Sequence, residues 1–171
     1  MLKLFIFICL SNICFSQAVD SSIYYFGLES NNSLKDRSYN LNRALFHLDE
    51  TKPTILLNKI YIELAILNRK SLNITNSIKY ANYAVETSFL LRDSLLSFKS
   101  YSVLASAFYK NNQVNLAIEN YKKAEIFLQK INIQGKAALF NNLGNCYSDL
   151  NNFENAQKYY ESSKQLFIKL R

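Results

Sequence analysis

Residues Phe140 to Ser163 read FNNLGNCYSDLNNFENAQKYYESS. Leu143, Gly144 and Tyr147 recur at the three- and four-residue spacing of one helix face, and so do Ala156, Tyr160 and Ser163. Between them Asp149-Leu150-Asn151-Asn152 supplies turn-forming side chains. The stretch therefore predicts two helices folded back on each other. Gly144 costs about 1 kcal/mol against Ala inside a helix, so its place in the pattern implies a close neighbour.

The same arrangement occurs upstream. Tyr101, Leu104, Ala105 and Phe108 precede Ala117, Tyr121 and Ala124, and a looser copy runs Tyr61, Leu64, Ala65, Ser77, Ala81 and Ala84. Ala44, Ala84 and Ala124 fall 40 residues apart, and Ser163 follows after 39. Small residues at one recurring helix position let helices approach closely, and aromatics fill the gaps beside them. Unrelated antiparallel helices would not keep such a period.

This order of residues resembles the tetratricopeptide repeat, in which a bulky residue, Leu-Gly, Tyr, Ala, an aromatic and Ala follow one another. Phe140, Leu143, Gly144, Tyr147, Ala156, Tyr160 and Ser163 carry the resemblance most fully, with Ser in place of the last Ala. It extends over about residues 33–171. The period is longer than the usual 34, and no Pro closes a repeat, because the one Pro is Pro53. Asn68 stands in the weakest copy where an aromatic is usual. The resemblance implies an all-α, right-handed α-α superhelix, a solenoid of helix–turn–helix repeats: a half repeat at 33–50, then 54–92, 94–131 and 136–171. It further implies an extended peptide held in a concave groove lined by the first helix of each repeat. The groove positions that carry over are Lys59, Ile62, Ile66, Arg69 and Lys70, then Lys99, Ser102, Ser106, Tyr109 and Lys110, then Ala138, Asn141, Asn145, Ser148 and Asp149. Asn amides offer a donor and an acceptor to a peptide backbone, and the basic positions favour an acidic segment or a carboxylate. The Lys/Asn/Lys/Arg set with which some members of the family clamp chaperone tails is not reproduced.

Composition supports the helical reading. Among 171 residues there are only 3 Gly and 1 Pro, and 49% are hydrophobic, enough for one domain with a core. Pro53 suits a first helical turn, with that helix running to about Lys70. Asp93 or Ser94 is a candidate N-cap, a helix is expected over Val114 to Ile131, and Gly135 reads as the break before the next.

The first 17 residues differ from the rest. Lys3 precedes the apolar run Leu4–Phe15, interrupted only by Ser11-Asn12. This reads as a secretory signal peptide over residues 1–17. The run is shorter than the roughly 20 residues of a membrane-spanning helix. Export, to a bacterial periplasm, is the expectation, and tethering to the inner membrane by an uncleaved segment is the alternative. Cleavage would leave Cys146 as the one cysteine, on a core-forming helix. The mature domain is 18–171, with no stable membrane span after signal cleavage.

Little in the sequence carries chemistry. The single His47 has no Cys or carboxylate at ligand spacing, and no phosphate-cradling loop or nucleophile elbow occurs. No cofactor, no metal and no catalytic residue is expected, and the chain is not expected to be an enzyme. The net charge is +7, yet Lys and Arg form no run longer than Arg69-Lys70 or Lys122-Lys123, so no nucleic-acid partner is expected. Leu166, Phe167 and Leu170 form an apolar stripe with no following helix in the sequence, which predicts self-association or cover from a partner. Two functions remain in view. One is an exported, non-catalytic protein–protein interaction scaffold. The other is the sensory front part of an envelope signalling system, a truncated regulator or kinase N-terminal region.

Overall fold

Why the chain turns where it does is clearest at the short loops. A computed structural model describes residues 17, 19–28 and 33–169. The signal-peptide expectation for residues 1–17 falls almost wholly outside the described residues, as does Leu170. Residues 19–27 form helix α1. Then follow α2 (Leu34–Phe46), α3 (Ile55–Lys70), α4 (Ile74–Leu91), α5 (Ser94–Lys110), α6 (Val114–Glu125), α7 (Ile133–Asp149) and α8 (Phe153–Ile168). The pairs α3–α4, α5–α6 and α7–α8 each pack antiparallel through one tight turn, and no strand occurs among the described residues. The fold is all-α.

The three turns repeat one backbone plan. Leu72, Asn112 and Asn151 take positive φ values of 61°, 58° and 56°. The amide after each returns to the preceding helix: Asn73 to the Asn68 carbonyl, Gln113 to Phe108 and Asn152 to Tyr147. Such left-handed closures satisfy carbonyls that the helix end leaves open. Asn73 and Asn152 then cap α4 and α8 through their side chains, whereas Gln113 makes no side-chain cap to α6.

The small residues of the sequence pattern are where helices meet. Ala44, Ala65, Ala81, Ala84, Ala105, Ala117 and Ala124 are fully buried. Ser163 stands in for the last alanine because its hydroxyl donates to the Ala137 carbonyl at 2.8 Å, so no buried polar group is left unpaired. Ser77 does the same to Ala65 at 2.8 Å. Ser100 and Asn58 both donate to the Ala84 carbonyl, at 3.1 and 2.6 Å.

Several boundaries differ from the sequence expectation. Pro53 does not open a helix; Thr54 is the N-cap of α3, accepting from the Leu57 amide at 3.0 Å, and Pro53 precedes it. At α5 the boundary agrees with the expectation: of the two candidates it is Asp93 that caps, accepting from the Leu95 and Leu96 amides at 2.8 and 3.0 Å. The helix expected to reach Ile131 stops at Glu125 and passes into a 3₁₀ turn, Leu128–Lys130. That break lets Phe127 stack on Tyr101, with centroids 6.3 Å apart, and lets Ile131 enter the core beside Phe98. Gly135 is not the break. It lies inside the first turn of α7, where Asn132 accepts from its amide at 2.8 Å. A Cβ there would come within 2.6 Å of the Ile131 side chain, so the absent side chain permits the tight entry.

Successive pairs join unequally. α5 packs along both α3 and α4, whereas α7 packs against α6. The wider junction is filled by large side chains: Phe98, Tyr121, Leu139, Leu143 and Tyr159 share one cluster with Phe127 and Phe140 beside it.

Candidate functional site

The C-terminal halves of α3, α5 and α7 bring a set of polar side chains together. Arg69 is half-buried near the end of α3, and its Nε atom is shielded from solvent with no hydrogen-bond partner among the described residues. Its charge reaches the buried Tyr121. Burial, and then Cys146, push the Tyr121 phenol upward, while the Ser106 hydroxyl and the Arg69 guanidinium act in the opposite sense. Ser106 is half-buried on α5. One turn on, Tyr109 donates its hydroxyl to Asp149 at the end of α7, at 2.7 Å. That bond first, and burial second, push the Tyr109 phenol up to about 12. Tyr160 reaches from α8 over Gly144 and donates to the Asn145 Oδ1 at 2.8 Å.

Of the groove positions expected from sequence, Arg69, Ser106, Tyr109 and Asn145 thus lie in one neighbourhood. Lys59, Lys99 and Asn141 are exposed, and no interaction ties them to that cluster. Asn141 borders a different hollow of about 490 Å³, which Phe167 and Ile168 also line. Ile66 is half-buried, and Ile62 packs with Leu57, Tyr61 and Ala84, leaving 8% of its surface exposed. Ile62 therefore serves the core and offers almost nothing to a ligand. Tyr121 and Tyr160, both from second helices, belong to the cluster, although the repeat pattern gives them only a gap-filling place. Their one signal was Tyr where Phe would fill the same gap, because only Tyr carries a hydroxyl to an opposing helix.

Among the described residues no group of three or more His, Cys, Asp or Glu side chains is placed to hold a metal ion. His47 stacks on Tyr25 with centroids 5.7 Å apart. No helix among the described residues is long and apolar enough to cross a membrane. Cys146 is buried and unpaired, its thiol pushed up to about 12 by burial and then by the Asp149 charge.

Residues 137–166 match the tetratricopeptide repeat family, and they coincide with the α7–α8 pair. The fold is of the tetratricopeptide repeat type. Solved structures agree with it. BtubC (BKLC) from P. vanneervenii superposes with a TM-score of 0.75 at 17% identity, over 80% of this chain and 57% of that one. MamA superposes with a TM-score of 0.64 at 16% identity, over 91% of this chain and 79% of its own. At these identities the likeness is one of fold, and the chain spans little more than half the length of BtubC. No curated protein matches the sequence. As a tetratricopeptide-type structure the chain departs from a regular stack after the 3₁₀ turn: α7 packs on α6 as α5 packs on α4, but it does not also run along α5 as α5 runs along α3.

Proposed function

We propose that the chain is a non-catalytic protein-interaction scaffold, holding an extended acidic segment of a protein partner across the face made by α3, α5 and α7. The observation that carries this reading is Arg69. Its side chain is half-buried, its charge reaches Tyr121, and its Nε has no acceptor among the described residues. A shielded charged donor without a partner is costly, and a carboxylate from outside would supply the missing acceptor with a charge-assisted bond. Tyr109, Ser106 and Asn145, in the same neighbourhood, add further polar groups to this face. The repeat type supports the reading, since tetratricopeptide solenoids present such faces to other proteins.

Export to a periplasm belongs to this proposal and rests on the N-terminal sequence; the alternative reading, the sensory front part of an envelope signalling system, would need the same export. A fusion of residues 1–20 to a reporter that is active only outside the cytoplasm tests export directly.

The binding reading is tested by titrating labelled acidic peptides and their charge-reversed counterparts. Acidic peptides should bind selectively, and Arg69→Ala should weaken them by roughly tenfold or more, the scale of one charge-assisted contact. Equal binding of both charge types, or an Arg69→Ala protein that binds as well as the parent, would overturn it.

A further inference from the structure

We propose that the cavity between the α2–α3 loop, α3 and α4 is a second binding site, which takes a primary alkylammonium group such as the end of a lysine side chain. It is an open hollow of about 280 Å³, with Leu57 and Tyr61 buried at its base and Glu50, Tyr83, Glu86 and Leu90 exposed around it. None of the groove positions of α3 borders it. Among the described residues no Lys or Arg lines it either, in a chain of net charge +7. The cavity is thus acidic and aromatic inside a basic protein.

Its parts have different jobs. The Tyr61 and Tyr83 rings border it 5.4 Å apart at 51°, Tyr61 buried and Tyr83 exposed, and the faces of an aromatic ring are its electron-rich side. Such faces attract cations, most strongly where water is excluded. Lys79 already lies over the Tyr83 ring, 5.7 Å from its centroid, which shows that this ring accepts an ammonium neighbour. Tyr61 donates its hydroxyl to Glu50, which fixes that carboxylate at the cavity. Burial and Glu50 push the Tyr61 phenol well above the ordinary range, so the donor stays protonated. Glu86 has no hydrogen bond or ion pair among the described residues. One carboxylate is therefore held and the other is open.

The class of ligand follows from these parts together. An anion is repelled by two carboxylates. A neutral apolar group would leave those carboxylates less hydrated with nothing in return. A compact hydrated metal ion would make no use of Leu57 and Leu90. An ammonium on a methylene stem satisfies all three surfaces: stem against leucines, charge over the rings, N–H donors to the carboxylates. The volume lies just below the roughly 300–1,000 Å³ of pockets for whole small molecules, which suits one alkylammonium arm.

The test is a titration of the folded protein followed by amide NMR shifts. The probes are n-butylammonium, lysine blocked at both backbone ends, and n-butanol as the neutral isostere. Butylammonium should shift residues 50–61 and 83–90 and saturate with a dissociation constant on the order of 1–10 mM, as its few heavy atoms allow. Tighter binding of the blocked lysine assigns the site to a protein partner, and tighter binding of the simple amine to a free metabolite; either outcome supports the proposal. Glu86→Gln, which keeps shape and removes charge, should weaken binding roughly tenfold. Tyr83→Phe should retain it, and Tyr83→Leu should lose it. The proposal is overturned if butylammonium shows no saturable shift below about 100 mM, if butanol binds equally, or if Glu86→Gln binds like the parent. Unchanged thermal melts of each variant separate lost binding from lost folding.

Discussion

The ring of Tyr160 lies so close over the backbone of Gly144 that a Cβ there would meet two of its carbons at 2.6 Å. The contact sets the Tyr160 hydroxyl 2.8 Å from Asn145, one residue further along α7. A glycine in mid-helix thus places a second-helix tyrosine on the face of the first helices.

Gly144→Ala sets two effects against each other. Helix propensity favours Ala by about 1 kcal/mol, and overpacking costs about 1–3 kcal/mol. Because the clash falls within the ring, and not at the end of a flexible chain, overpacking should win. We expect a net loss of about 1 kcal/mol in urea denaturation. A more stable Gly144→Ala protein would show that the ring swings aside freely.

The three within-pair turns make a sharper comparison. The left-handed residue is Asn at 112 and 151 but Leu at 72, where the side chain is 70% exposed. A β-carbon residue pays about 1–2 kcal/mol for this conformation, and Asn tolerates it better. Leu72→Asn should therefore stabilise the protein by about 1 kcal/mol. The cap is Asn at 73 and 152 but Gln at 113, whose longer side chain makes no cap bond. Gln113→Asn should add about 0.5–1 kcal/mol by supplying it. Thermal melts of the two variants and their double mutant check both values, and the two should add, since the turns are separate.

Alkaline pH should act through Tyr109. Its folded pKa is raised from 10.0 to about 12, because Asp149 accepts its proton-bearing hydroxyl. A group that holds its proton longer when folded contributes stability that is fully present below pH 10. That contribution is lost as pH rises from 10 toward 12. Tyr61 and Tyr121 shift in the same direction, so the parent slope is a composite. The difference between parent and Tyr109→Phe isolates one bond. The variant should be less stable by about 0.5–1.5 kcal/mol at pH 8, and the gap should close by pH 12. A gap that does not change with pH would remove the Tyr109–Asp149 bond as its cause.

Cys146 should be inert in the folded state. It is fully buried and its thiol is held at about 12, so thiolate is scarce at pH 8. Alkylation read at the peptide that carries Cys146 should be at least roughly a hundredfold slower than in urea. Equal rates would mean that α7 opens readily from α8.

Much of the fold could be read without coordinates, and the reason is local. Helix spacing, the Asn-rich turns and the recurring alanines depend on residues a few positions apart, and repetition gives each signal more than once. The failures were local as well. Pro53 and Gly135 are ambiguous residues whose meaning is set by the neighbours that cap the helix, Thr54 and Asn132. α6 stops early because Phe127 and Ile131 gain burial against Phe98 and Tyr101, partners far away in the chain. The groove was legible as a series of positions on first helices. Which of them would meet was not: Ile62 went to the core, and Tyr121 and Tyr160 came in from second helices.

The amino-acid order determined that this is a helical repeat, because 3.6-residue periodicity and a 39–40 residue spacing are properties of the chain alone. Tertiary structure decided which polar groups share an environment. Tyr109 meets Asp149 across 40 residues, Arg69 reaches Tyr121, and Glu50 and Glu86 face one aromatic cavity only after α3 and α4 close on the loop before them. Those relationships set charge, burial and access, and they depend on distances through space that no spacing along the sequence encodes.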